Sequence, residues 1–551
     1  MTDYKDLLAT FNLVNPVHNR VKAQDSGLRQ KDNELQIHGV IFTDTVKLSS
    51  KFAINQGYVL AAINNYIERC ETLGTSYVLC DMADAENAVF IQYDQSWHSY
   101  HLALYSYCSR NSIKMNSSIS VFIIGGDDVI ATPQKIDAIS YKKIYNYNID
   151  VDFRYCFKTD FDIDKYFEVV HNNYTAEEIE QRIINQALCN VSRLPLSYGK
   201  QTKSFDKTIG NYFDRVISSQ MKMEIDRGIV SVSRDFLPHA IVMSKGVPQL
   251  PIQNNPYFVY EGMYVSPTLA VNNEESMKVY TDSLHKADFL WVLLHGSNQE
   301  DESGYYGVDG SLAFNIPLLN HCKSKIFNSL ACYGARYKQY KNESSMLLSA
   351  IYSSSLSFTG ASDISWGGVS GDLVTCAPRM MRLYTQNILS GQTLGEALLY
   401  SKIRYYVQEM LECYRNNYSE DMQFPAYTVY EYNLFGDPQI KCNVTMEENT
   451  TTLPKGEDGT INTPSAASLD EIYERVHNLV DEGLNEIQVK LENYLLSDLG
   501  IKDAKLASVD KIKSSSSICY DFTFTYTVVD DMLINLRTDA EGNIIKIFGS
   551  L

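Results

Sequence analysis

Two short stretches of the sequence contain side chains that could act as a nucleophile and its base. His295 lies in WVLLHGS, residues 291–297, and Cys332 lies in NSLACYGARY, residues 328–337. The thiolate is the nucleophilic form of cysteine, and an imidazole within reach can generate it and later protonate a leaving group. These residue types therefore point to covalent catalysis by a cysteine.

In both stretches the reactive residue follows a hydrophobic run typical of a buried strand. If the two strands are parallel neighbours, His295 and Cys332 share the carboxyl edge of one sheet, where open α/β sheets place their active sites. An acidic, glycine-rich loop with Glu300–Glu302 and a predicted helix Leu312–Asn320 supply the crossover that parallel strands require. A lone cysteine or histidine at a strand end usually has a packing role, but the two together favour catalysis.

Glycine follows the histidine directly, at Gly296. It permits a sharp backbone turn, so that the N–H groups of Gly296 and Cys332 could bind the oxygen of a tetrahedral intermediate. We predict these two N–H groups as the oxyanion donors.

The elements that must position these residues are those of an α/β fold, because short apolar runs alternate with amphipathic stretches through about the first 440 residues. A helix is predicted after Thr393, where Thr393 and Glu396 form a capping box. The clearest predicted strands are Ile119–Gly125, His239–Ser244, Asp288–Leu294, Ile326–Ala331 and Leu356–Ala361.

Composition shifts predict four regions. An N-terminal α/β subdomain (1–205) and a catalytic subdomain (206–442) are joined through a polar, helical connector around residues 196–235. Residues 443–467, which contain few large apolar side chains, are a predicted flexible linker. Residues 468–551 are a predicted small α+β domain, in which a helix beginning after Ser468 precedes strands near 519–529, 532–538 and 543–548, the last two forming a hairpin.

Charge and motif content exclude several classes of protein. Lys and Arg number 48 against 67 Asp and Glu, a net charge of −19, so nucleic acid is not an expected partner. No apolar run reaches the roughly 18 residues of a membrane span, and the first residues do not resemble a signal peptide, so a cytoplasmic location is expected. The eleven cysteines include no CxxC pair, and no metal-ligand spacing or phosphate-binding glycine motif is present. We expect no required cofactor.

The HGS and ACYG elements resemble the His-Gly and Ala-Cys motifs of the caspase-like (clan CD) cysteine peptidases. Further segments resemble the gingipain family, peptidase family C25, within that clan. The resemblance implies a two-part αβα sandwich whose second part is catalytic, with His295 and Cys332 as the dyad of a cysteine endopeptidase. The further segments are FIIGGDDVIATP (122–133), VSRLP (191–195), GASDISWGG (360–368) and NLFGDPQI (433–440).

The sequence also departs from this family. Its members often carry an acidic residue just after the first strand of the catalytic part, where it orients the histidine. The predicted strand His239–Ser244 instead runs into Lys245, so no third residue is assigned. Structural calcium occurs in the family, and the sequence does not establish it here.

The same resemblance places Trp366 in a wall of the substrate cleft, with Asp363 and Asp372 beside it. A desolvated carboxylate would pair with Arg or Lys of a substrate, which predicts cleavage after a basic residue. The alternatives are a core tryptophan and aspartates that only cap turns.

Several functional alternatives remain open from the sequence. The C-terminal domain could bind a regulatory protein, or cover the cleft of a zymogen until the linker is cut by self-processing, for example in bacterial defence. A transpeptidase could use the same dyad, and a non-catalytic scaffold could use the same fold.

Overall fold

The computed structural model describes residues 36–137, 147–225, 227–245, 263–266, 269–297, 304–338, 345–370, 373–416, 423–443, 484–513, 518–528, 531–539 and 542–550. The predicted linker 443–467, apart from Asn443, lies outside these residues, as do Ser468 and Glu300–Glu302. Residues 37–551 belong to one structural unit.

The described strands carry the following labels in chain order: β1 (Gly39–Thr43), β2 (Tyr77–Asp81), β3 (Ser120–Ile124), β4 (Gln134–Asp137), β5 (Tyr147–Asp150), β6 (Asn190–Leu194), β7 (Lys222–Glu224), β8 (Gly228–Ser233), β9 (Met263–Ser266), β10 (Phe289–Leu293), β11 (Gly304–Tyr306), β12 (Leu312–Asn315), β13 (Ile326–Ser329), β14 (Ser357–Ala361), β15 (Trp366–Ser370), β16 (Leu373–Thr375), β17 (Tyr432–Gly436), β18 (Lys441–Asn443), β19 (Lys505–Lys513), β20 (Ile518–Thr527), β21 (Asp531–Thr538) and β22 (Ile544–Ser550).

The described α-helices are α1 (Thr45–Phe52), α2 (Gln56–Thr72), α3 (Ala85–Ala88), α4 (Trp97–Arg110), α5 (Ile163–Val170), α6 (Ala176–Ile184), α7 (Asn211–Ser218), α8 (Leu237–Lys245), α9 (Glu274–Leu284), α10 (Ile316–Leu319), α11 (Met346–Ser353), α12 (Cys376–Leu389), α13 (Leu394–Asn416), α14 (Gln423–Glu431) and α15 (Leu484–Ser497).

A ten-stranded sheet forms the centre of the fold, in the order β2-β1-β3-β6-β17-β14-β13-β10-β8-β9. The strands β14, β13, β10, β8 and β9 run parallel to one another, and β17 runs antiparallel to β14. Strands such as β10 are buried along their whole length, which explains their continuous apolar sequence. The predicted α/β class is confirmed.

Most of the predicted elements are present. Strands β3, β10, β13 and β14 coincide with four of the five predicted strands. Helix α13 begins at the predicted capping box, in which Thr393 Oγ1 accepts from the Glu396 N–H at 3.3 Å and the Glu396 carboxylate accepts from the Thr393 N–H.

The predicted strand His239–Ser244 is wrong, because this segment belongs to helix α8. A short apolar run cannot distinguish a buried strand from a buried helix, and Pro238 near the helix start was the signal that favoured a helix. The predicted helix Leu312–Asn320 is also wrong in its first half, where Leu312–Asn315 forms β12 and only Ile316–Leu319 is helical. The polar connector 196–235 contains β8, a strand of the central sheet.

The C-terminal residues form an antiparallel sheet whose order is β16-β15-β22-β21-β20-β19. The predicted hairpin is confirmed as β21 and β22. Two strands of this sheet, β15 and β16, come from the middle of the chain, and β22 pairs with β15 from Trp366 to Val369. The sequence-based description of a self-contained C-terminal domain did not include this shared sheet.

Asp437 anchors the chain directly after β17. Its buried carboxylate accepts hydrogen bonds from the hydroxyls of Tyr66 and Tyr77, at 2.5 and 2.6 Å, and from the backbone N–H of Gln439. These donors satisfy a carboxylate that burial would otherwise make costly. The NLFGDPQI segment thus fixes β17 in the centre of the sheet.

None of the described helices has both the length and the apolar character that crossing a membrane requires.

Candidate active site

Four neighbouring parallel strands end at one edge of the sheet, and each is followed by a residue that could take part in chemistry. Asp363 follows β14, Cys332 follows β13, His295 follows β10 and Asp235 follows β8. Because the carboxyl ends of parallel strands meet at the same edge, these four residues lie in a row across the sheet.

His295 and Cys332 come from adjacent strands. Val292 of β10 pairs with Ser329 of β13, and the same offset continued three residues further aligns His295 with Cys332. The backbone N–H and carbonyl of His295 both bond to Tyr306, at 2.9 Å each, which fixes the histidine at the strand end.

The two strand ends approach so closely that only glycine fits at position 296. A Cβ atom added to Gly296 would lie 1.7 Å from the Cys332 carbonyl oxygen. Gly296 therefore lets the segment after His295 lie against the backbone of Cys332, beside the two N–H groups predicted as oxyanion donors.

Asp235 is the residue that sequence reasoning missed. Its Oδ2 lies 2.8 Å from His295 Nε2, and both side chains are almost completely buried. Asp235 follows β8, the strand that pairs with β10, whereas the sequence-based prediction placed a strand at the helical segment His239–Ser244 and therefore assigned no third residue. The sequence does contain a signal for Asp235. Residues 228–235, GIVSVSRD, include the β-branched residues typical of a strand and end at an acidic residue.

This contact determines which nitrogen of His295 donates a proton to Asp235. Burial alone would raise the pKa of Asp235, but the His295 charge and hydrogen bond outweigh burial, and the net pKa is lowered. An ionised carboxylate can only accept, so His295 Nε2 carries the donated proton. The other ring nitrogen, Nδ1, has no hydrogen-bond partner among the described residues. The arrangement leaves Nδ1 able to take a proton from a thiol.

Cys332 is buried, with 2% of its surface exposed, and its Sγ lies 3.7 Å from the Ser365 carbonyl oxygen. The next residue, Tyr333, has a left-handed backbone (φ 55°), and its N–H donates to the Asp363 carbonyl at 2.8 Å. Such a conformation is unfavourable for a residue other than glycine and persists only where neighbours impose it. The chain thus bends sharply directly after the sulfur.

Trp366 is buried rather than exposed in a cleft. Its ring stacks on Phe548 of β22, with centroids 5.4 Å apart and planes within 5°, and contacts Phe424. The structure therefore packs this tryptophan against the C-terminal sheet.

Asp363 lies beside the nucleophile segment through the backbone bond to Tyr333, and its Oδ1 accepts from the N–H of Ile364 at 2.8 Å. Glu431 lies behind it and is fully buried. Burial raises the pKa of Glu431 well above its usual value, and the charge of Asp363 raises it further. The charge of Lys402 acts in the opposite direction but does not outweigh burial. Asp372 lies outside the described residues.

Metal-ligating side chains do not cluster within the described part of the chain. No group of three or more His, Cys, Asp or Glu residues there is arranged to hold an ion.

The model of peptidase family C25 matches residues 257–443. This match supports a cysteine peptidase at the level of the family. No curated protein of known function matches the sequence.

Two solved structures are similar to this chain. One is a structure described as a protease, with a TM-score of 0.46, 11% identity, and coverage of 94% of this chain and 97% of that one. The other is the separase–securin complex of Saccharomyces cerevisiae, with a TM-score of 0.27, 9% identity, and coverage of 45% of this chain and 14% of that one.

The close backbone contact at Gly296 predicts a large effect of one added methyl group. Gly296→Ala should reduce the free energy of unfolding by about 3 kcal/mol, because the Cys332 carbonyl cannot rotate away as a side chain would. Urea denaturation of the full chain measures this. Gly228→Ala is the matched control, since its Cβ would meet nothing closer than 3.7 Å, and its stability should stay within about 1 kcal/mol of wild type. Equal stability of the two variants would contradict the close contact.

Proposed function

We propose that the chain is a cysteine endopeptidase in which Cys332 is the nucleophile, His295 the general base and acid, and Asp235 the residue that orients His295. The observation that carries this proposal is the alignment of the three residues at the ends of β13, β10 and β8, with His295 Nδ1 unbonded and Nε2 held by Asp235.

The reaction would proceed through a thioester. His295 Nδ1 takes the proton of Cys332, and the thiolate attacks the peptide carbonyl carbon. The N–H groups of Gly296 and Cys332 donate to the resulting oxyanion, a contribution worth about 3 kcal/mol for one such donor in other proteases. His295 then protonates the leaving amine, and water hydrolyses the thioester to release the acid and restore the thiol.

Labelling by a thiol-directed peptide inhibitor tests this proposal. We expect wild type to be labelled once and to hydrolyse peptides, and Cys332→Ala to lose both properties. His295→Ala should keep the sulfur but hydrolyse at least about a hundredfold more slowly, because general base catalysis typically contributes that much.

Cys322→Ala is the control for the labelling experiment, since Cys322 is a buried thiol whose pKa is raised by burial. It should be labelled like wild type. Equal labelling of Cys332→Ala and wild type would favour a non-catalytic scaffold instead. Amide products formed with an added amine would favour a transpeptidase.

We further propose cleavage after Arg or Lys. Asp363 and the buried Glu431 bring two carboxyl groups close to the nucleophile segment, and Glu431 has no hydrogen-bond partner among the described residues. A guanidinium or ammonium group bound there would offset their mutual repulsion and satisfy the unbonded oxygens. An acidic substrate side chain would instead add to the repulsion.

A peptide panel that differs only at the residue before the cleaved bond measures this preference. We expect Arg or Lys to be preferred, and Asp363→Asn to lower kcat/KM for the basic peptides about 10- to 100-fold, the value of a charge-assisted hydrogen bond. Asp288→Asn is a matched control, because Asp288 precedes β10 at the opposite edge of the sheet. A preference for Asp at this position would overturn the proposal.

We also propose that the chain is restrained before use. Cys332 and His295 are both buried, so a peptide can reach the sulfur only after neighbouring segments move. Self-processing in the predicted linker 443–467 would provide such a step.

Intact-mass spectra of the purified chain over time test the processing step. We expect a cut between residues 443 and 467 in wild type and none in Cys332→Ala, with activity rising as the cut chain accumulates. A wild-type chain that is active while still uncut would exclude self-processing as the activating step.

A further inference from the structure

A tyrosine from the C-terminal sheet contacts Asp235, the residue proposed to orient His295. The hydroxyl of Tyr526, on β20, donates to Asp235 Oδ2 at 3.2 Å, and this oxygen also accepts from His295 Nε2 at 2.8 Å. The rings of Tyr526 and His295 meet edge to face, with centroids 6.2 Å apart. Tyr526 itself is buried, with 4% of its surface exposed.

The contact is part of a wider attachment between the C-terminal residues and the strand ends of the site. Arg234, the neighbour of Asp235, donates to the Ser497 carbonyl at the end of α15, at 2.9 Å. On the other side, β22 extends β15 as a paired strand, and Phe548 stacks on Trp366. The C-terminal residues therefore contact the segments around the site at several places besides Tyr526.

A hydrogen bond to the charged form of a carboxylate favours that form. The Tyr526 hydroxyl should therefore help to keep Asp235 ionised in a fully buried position, where desolvation opposes the charge. A second donor on the same oxygen also restricts where the carboxylate can rotate, and so where Nδ1 of His295 points. Among the described residues, His239 of α8 also lies close enough to feel the charge of Asp235, and burial lowers the pKa of His239 to about 4.

We propose that Tyr526 is a positioning residue for the candidate peptidase reaction, acting through Asp235 on His295, so that the C-terminal sheet completes the catalytic site. This inference rests on the proposed function. It makes the C-terminal residues a required part of the peptidase rather than an appended module.

Kinetics of the full chain and its Tyr526→Phe variant test this role, since the substitution removes the hydroxyl and keeps the ring. We expect kcat to fall about 3- to 10-fold, less than the full value of a hydrogen bond to a charged group because Tyr526 acts only through Asp235, with KM nearly unchanged. Because Asp235 loses a donor to its charged form, its pKa should rise, and the acid limb of the kcat/KM profile should move about one unit or less to higher pH. Titration with an irreversible thiol inhibitor gives the concentration of folded sites, so that kcat is counted per active site.

Two further variants separate positioning from a general structural effect. Tyr520→Phe removes a hydroxyl from a half-buried tyrosine of the same strand, and it should match wild type in kcat and pH profile. In the Asp235→Asn background, Tyr526→Phe should cause no further loss, because the residue through which it acts has already changed.

Three results would overturn the proposal, and they differ from one another. A Tyr526→Phe chain with wild-type kcat and acid limb would exclude the positioning role alone. The same fold-loss with and without Asp235→Asn would make the effect structural. Absence of any Cys332-dependent hydrolysis in wild type would instead remove the proposed peptidase function, and this inference with it.

Discussion

The site depends on the close backbone contact between the ends of β10 and β13. Gly296 lies so near the carbonyl of Cys332 that any side chain at this position would collide with it. This contact, together with the parallel register of the two strands, brings His295 and Cys332, which are 37 positions apart in the sequence, to neighbouring strand ends. Geometry of this kind is rigid, because it is built from the backbone of a sheet buried on both faces.

The charge of Asp235 determines which nitrogen of His295 is available to accept a proton. Asp235 is buried, and a buried carboxylate is costly unless it is paired. His295 supplies the pair through Nε2, which leaves Nδ1 as the nitrogen able to accept a proton. A single buried contact therefore stabilises the acid and also selects the tautomer of the base. The opposite arrangement occurs at Glu431, whose carboxyl oxygens lack partners among the described residues and whose pKa is raised.

The sequence predicted the parts of the site that follow local rules. Runs such as FLWVL, residues 289–293, are long, apolar and followed by a distinctive residue, so β10 and the position of His295 could be inferred. The third residue could not, because β8 has the mixed sequence GIVSVS, residues 228–233, and was assigned to a polar connector, while the more apolar HAIVMS, residues 239–244, is helical. Local hydrophobicity alone does not separate these two cases, since tertiary packing decides between helix and strand in short buried segments.

The contacts made by the C-terminal residues lay beyond sequence reasoning for a different reason. Pairing of β22 with β15, and the approach of Tyr526 to Asp235, join residues far apart in the chain, and nothing in the local pattern of either partner specifies the other. The linker between them is equally uninformative, since its composition indicates only that it does not pack. The low apolar content of the linker led to the prediction of separate domains on its two sides, although both sides contribute strands to one sheet.

The shared sheet also has a consequence for synthesis of the protein. The hydrogen bond between Tyr526 and Asp235 joins residues that are 291 positions apart in the sequence. Strand β15 can pair with β22 only after residues 547–550 have been synthesised. A ribosome that has just completed Cys332 therefore carries a nascent chain in which the proposed nucleophile is present but the residues that surround it in the folded protein are not. Contacts of such long range also form slowly, since the entropy of loop closure must be overcome first. The order of translation thus delays assembly of the dyad's environment until nearly the whole polypeptide has emerged.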